Sequence, residues 1–199
     1  MKSWMKLVLC LSFGWMGFAA QAAYSPLAVS IVPPLQFPPS DFNISGVRVS
    51  VLAGVHRDVY GLDLGLIGNI TRQRFVGAAV SGVFNYTQGQ TTVTGVQLAG
   101  LANVNLEKTN VYGIQAALGG TYNKADSNVH GVQLGLVNLG EHTDIFGVQT
   151  GIYNRAQSVY GLQLGIVNVA NNLHGLQIGL LNFNYTGLFY VAPILNFGF

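Results

Sequence analysis

Few residues in this chain are equipped for chemistry. The most conspicuous is Asp63, a carboxylate inside the otherwise apolar run Gly61-Leu62-Asp63-Leu64-Gly65. Related runs carry an amide at the same place: Gln97, Gln115, Gln133, Gln149, Gln163 and Gln177. A carboxylate inside a closed strand wall could form a charged constriction or ion site, but in a polar lumen it reads more simply as a solvated residue. The amides could line a small-solute path. More often such a set satisfies its own hydrogen bonds and fixes strand register. Glu141-His142-Thr143-Asp144 offers one imidazole and two carboxylates on a turn, too little for a metal site. His130 and His174 replace the Tyr or Phe of other repeats, and His56 sits beside Arg57 and Asp58 in a turn. No nucleophile elbow, phosphate-cradling loop or Ser-His-Asp context occurs. No catalytic residue, metal or cofactor is therefore expected, and the chain does not read as an enzyme.

The elements that position these residues form a repeat. Gly-aliphatic-Gln-x-Gly-aliphatic-x-Asn is cleanest in GVQLGLVN at Gly131, GLQLGIVN at Gly161 and GLQIGLLN at Gly175. The leading glycines are 14 to 18 residues apart from Gly61 onward. Each unit alternates with period two, which marks a strand. In Tyr160–Asn168 one face carries Tyr160, Leu162, Leu164 and Ile166, and the other Gly161, Gln163, Gly165 and Val167. Two glycines per unit argue against helix, at about 1 kcal/mol each relative to Ala. Polar segments such as Asn123–Asn128 and Asn171-Asn172 read as turns.

Composition narrows the class. Only 8% of the 199 residues are charged, and nine Lys+Arg against seven Asp+Glu leave no basic face for nucleic acid. Mean hydropathy is +0.40, which excludes a disordered chain. Residues 1–22 read as a signal peptide: Lys2 and Lys6, then the apolar Leu7–Ala20, then Ala20-Gln21-Ala22. Cleavage there removes both lysines and Cys10, the only cysteine, leaving seven basic and seven acidic residues. Residues 23–44 form a Pro-rich segment, and 45–199 a single β-repeat domain. Its charges fall almost wholly between the repeat cores, with Asp63 the exception.

Two architectures fit. The preferred one is all-β, an antiparallel up-and-down barrel of about ten strands, with Leu and Ile facing lipid and Gly and Gln facing a lumen. The alternative is a parallel β-solenoid with one repeat per coil. Parallel coils reuse a motif in one direction, but GLQLG is a palindrome about its Gln, so an antiparallel ring keeps the same layers. Aromatics at both ends of the repeats, such as Tyr160 and Tyr153, resemble interface girdles. The last strand places Val191, Leu195, Phe197 and Phe199 on one face, like the assembly signal of outer-membrane barrels. Pro193 would then mark the barrel seam, with Pro33-Pro34 opposite it.

The units GLDLGLIGN, GVQLGLVN and GLQIGLLN resemble those of surface-repeat proteins first catalogued in Leptospira. The closing PILNFGF (Pro193–Phe199) and the early VPPLQFPPS (Val32–Ser40) are similar too. The resemblance spans nearly the whole chain beyond residue 22. It implies a surface or envelope protein and brings no activity or catalytic residues. The resulting expectation is an exported outer-membrane or cell-surface protein with a structural or narrow-pore role. Its partners would be outer-membrane lipid and the barrel-assembly machinery. A secreted or surface-attached solenoid for interaction or adhesion is the competing expectation.

Overall fold

The computed structural model describes residues 23–199, so the expected signal peptide lies outside the described residues. The chain is a β-solenoid. Its strands are β1 (Tyr24–Val32), β2 (Leu35–Phe37), β3 (Asn43–Ser50), β4 (Ala53–Gly65), β5 (Gly68–Ser81), β6 (Phe84–Thr87), β7 (Thr91–Ala99) and β8 (Ala102–Asn105). They continue as β9 (Thr109–Ala117), β10 (Gly120–Asn123), β11 (Ser127–Leu134), β12 (Val137–Gly140), β13 (Thr143–Thr150), β14 (Tyr153–Leu164), β15 (Val167–Asn184) and β16 (Val191–Gly198).

Each coil contributes to two sheets. The motif strands stack parallel and in register: Gln97 on Gln115, Gln115 on Gln133, Gln133 on Gln149, Gln149 on Gln163, and Gln163 on Gln177. The segments between motifs form the second parallel sheet, with β6, β8, β10 and β12 side by side. In β4, β5, β14 and β15 one long strand runs through both sheets.

This corrects the expected antiparallel barrel. Antiparallel pairing is confined to the two ends, β1 with β2 and β15 with β16. β16 pairs only with β15 and never returns to β1, so the sheet does not close on itself. The second strand of each coil starts at the end of the repeat core, as at Val137-Asn138, and runs on into the residues between cores. Pro193 and Pro33-Pro34 do not face each other across a seam. They lie at opposite ends of the stack, where a residue that cannot donate to the ladder is tolerated.

The motif explains the coil. Its first glycine has positive φ in nine coils, +140° at Gly147 and Gly161. A Cβ on Gly131 would lie 2.1 Å from the Gly113 carbonyl oxygen, so only hydrogen fits between coils. The second glycine makes room for the corner. A Cβ on Gly165 would meet Asn154 Nδ2 at 2.5 Å and Asn168 Oδ1 at 2.8 Å. The motif Asn then holds that corner: Asn154 Nδ2 donates to the Leu164 carbonyl at 2.7 Å and to Asn168 Oδ1 at 2.9 Å. Asn168 repeats this to Ile178 and Asn182. Backbone bonding continues through the corners, from Ile152 N to Leu136 O and from Ile166 N to Ile152 O.

The apolar core is a single inner column, running from Ile44 and Val59 through Val111, Val129 and Ile145 to Val159 and Leu173. Burying each such side chain contributes about 1.5–3 kcal/mol. Alanines such as Ala79, Ala156 and Ala170 add to it, and most other buried side chains are polar.

Candidate interaction surface

The interior claims the residues singled out by sequence. Asp63 is 1% exposed and pairs with Arg48, itself fully buried and one coil earlier at the same register. Arg48 Nε donates to Asp63 Oδ1 at 2.7 Å, and Arg48 Nη2 donates to Asp63 Oδ2. Arg48 Nη1 also donates to the Ile70 carbonyl at 2.9 Å, and Nη2 to Thr71 Oγ1 at 3.3 Å. Asp63 is therefore not a solvated lumen residue, and its carboxylate is already occupied. Arg48 was missed as its partner. The signal was present, because aligning Gly46-Val47-Arg48 with Gly61-Leu62-Asp63 stacks opposite charges.

The six glutamines are buried to within 1% and bond in series. Gln115, Gln133, Gln149, Gln163 and Gln177 each donate from Nε2 to the Oε1 of the glutamine one coil earlier, at 2.6–2.8 Å. Gln97 and Gln115 also exchange bonds with Asn105 and Asn123 across the interior, at 3.2–3.4 Å. Side chains bonded and buried in this way line no water-filled passage.

His56 is fully buried within β4, not in a turn. Its Nε2 lies 3.2 Å from the Pro38 carbonyl. Its pKa is lowered to about 4 by desolvation and then by the nearby Arg48 charge, against the opposing Pro38 hydrogen bond. Among the described residues, no group of three or more His, Cys, Asp and Glu is placed to hold a metal ion. No helix among them is long and apolar enough to cross a membrane.

With polar side chains inside, the outer face of the first sheet is aliphatic. One outward column includes Leu62, Ile114, Val132, Val148, Leu162 and Leu176. The next includes Val49, Leu64, Leu134, Leu164 and Ile178. Leu66, Leu118, Leu136, Ile152 and Leu180 project from the corner. No charged side chain interrupts these columns. Along their other side, Tyr112, His130, Phe146, Tyr160 and His174 stack face to face, with centroids 4.6–5.1 Å apart and planes within 9°.

The aromatic bands are thus not two membrane girdles. Tyr160 belongs to this column, whereas Tyr122 and Tyr153 lie on the second sheet. Val191, Leu195, Phe197 and Phe199 are all exposed on or just beyond β16, the strand that covers the end of the stack. With no barrel to insert, the expected partnership with barrel-assembly machinery and outer-membrane lipid falls away.

No family model, no curated protein and no solved structure matches this chain. The expected membership of the Leptospira surface-repeat group is corrected accordingly. No measurable kinship supports it, and the solenoid replaces the barrel-ended architecture drawn from it.

Proposed function

We propose that this protein is a secreted or surface-attached interaction scaffold whose working part is the aliphatic and aromatic outer face of the first sheet. The β-solenoid fold is consistent with a structural or interaction role. One observation carries the finer reading. The interior is committed to bonded amides, a buried ion pair and a valine column, while a large charge-free sheet face is turned outward. Contiguous apolar patches beyond a few hundred Å2 mark interaction sites on soluble proteins. Export is supported by the basic, apolar and small-residue order of residues 1–22.

Surface attachment is tested with the full chain carrying a C-terminal epitope. Protease added to intact cells should remove the epitope while a cytoplasmic marker survives, and a carbonate wash should release folded protein. An epitope that stays protected on intact cells overturns the surface assignment. The interaction role is tested by replacing Ile114 and Val148 with Asp. A folded variant that keeps both the cell attachment and the assembly state of the parent overturns the role given to this face.

A further inference from the structure

The outer face of the first sheet has the dimensions of half a protein interface, and we propose that a second copy of this chain covers it. This rests on the interaction reading above and names the partner. From Val47 to Leu176 the face runs about 40 Å along the stack, at about 4.8 Å per coil. From the aromatic column to the corner column it spans about 20 Å, at about 3.3 Å per residue. The resulting area is roughly 800 Å2 per copy, or about 1,600 Å2 for a pair, which is the size of a standard stable interface. A monomer typically leaves a largest apolar patch of only about 300–600 Å2.

The chemistry of the face selects the partner. A foreign partner chosen by charge would need charged markers, and the aliphatic columns carry no charged side chain. Apart from Thr150, between Leu134 and Leu164, the two columns are wholly apolar, and such a face is complementary to another like it. Two identical faces meet about a two-fold axis lying between them, so the assembly closes at two copies. Such sheets pack about 10 Å apart with interleaved side chains, as in a β-sandwich. The aromatic column along one margin supplies the Tyr and Phe that interface cores favour.

The ends of the stack do not compete for this role. Pro33 and Pro34 precede the edge strand β2, Pro38 follows it, and the opposite edge strand β16 contains Pro193. Proline on an edge removes donors that another chain would pair with.

Val132 lies near the middle of the face, between Ile114 and Val148 on the adjacent coils. Under a two-fold axis through the centre it approaches its own copy. The test uses the full chain, measuring mass by light scattering and sedimentation from nanomolar to micromolar concentration. The parent should have twice the mass of one chain. Val132→Asp should raise the dissociation constant at least about 30-fold while strand circular dichroism is retained. In a Cys10→Ser background, Val132→Cys should give an oxidised dimer on non-reducing gels. This second variant keeps the test decisive where the aspartate disturbs folding. A parent chain that stays monomeric overturns the proposal. So does a larger assembly that folded Val132→Asp leaves intact, or a cysteine variant that never cross-links. A monomer whose cell attachment still depends on Ile114 and Val148 overturns the dimer alone and leaves the interaction scaffold standing.

Discussion

Arg48 and Asp63 occupy the same register on adjacent coils and close a bidentate ion pair inside the solenoid. Neither side chain is more than 2% exposed. Removing one partner strands the other charge away from water. Arg48→Met or Asp63→Leu alone should each cost about 3–5 kcal/mol, whereas the double variant should recover most of that loss. Urea unfolding of the three variants measures the cycle. Single substitutions that each cost under about 1 kcal/mol would show that water reaches the pair.

His56 makes the fold sensitive to acid. Its pKa is about 4 in the folded chain, against 6.5 for an ordinary histidine. Between these values the unfolded chain binds a proton that the folded chain does not, so stability falls as pH drops through this window. The loss is on the order of 3 kcal/mol at most. Thermal unfolding at pH 7 and pH 4.5 reads it. His56→Gln should flatten that dependence, and an unchanged slope would assign the acid sensitivity to other groups.

The glutamine ladder gives a sharper test of interior bonding. Gln149 accepts from Gln163 and donates to Gln133. Gln149→Leu keeps much of the volume but deprives Gln133 Oε1 of its donor. The expected loss is about 1–3 kcal/mol for each buried group left unpaired. Denaturant titration checks it, and a leucine variant as stable as the parent would mean that the amides repack without loss.

Two glycines separate conformation from contact. Gly147 has φ +140° and would place a Cβ 2.1 Å from the Gly131 oxygen. Gly95 has φ +106° with nothing within 4 Å of its Cβ position. Gly95→Ala should therefore cost only backbone strain, about 1–3 kcal/mol. Gly147→Ala should cost distinctly more, because two coils must separate. Equal melting temperatures for the two variants would contradict the close approach.

Much of this was legible in the sequence, and the misreading has a definite cause. Period two assigned the inward Gly and Gln and the outward Leu and Ile of the motif strands to their faces. It could not assign the direction of the neighbouring strand, because GLQLG reads alike both ways. The short second strands, such as Ala102–Asn105, were hidden because the repeat core reads as one strand: GVQLAGLAN runs from Gly95 to Asn103 across the corner between the two sheets. The barrel gained its appeal from an outer face without charge. The amides of this chain bond to their counterparts one coil away in the in-register parallel stack. Arg48 lay outside the recognised repeats, so Asp63 looked unaccompanied.

The direction of the ladders also governs the response to force. In a parallel stack the bonds between coils point along the solenoid axis. Tension applied between the two ends of the stack opens one coil at a time, each opening releasing only its own backbone and amide bonds. Tension applied across the coils must shear a whole row of bonds at once. The molecule should be weak when pulled lengthwise and stiff when pulled sideways, like a zipper compared with a seam.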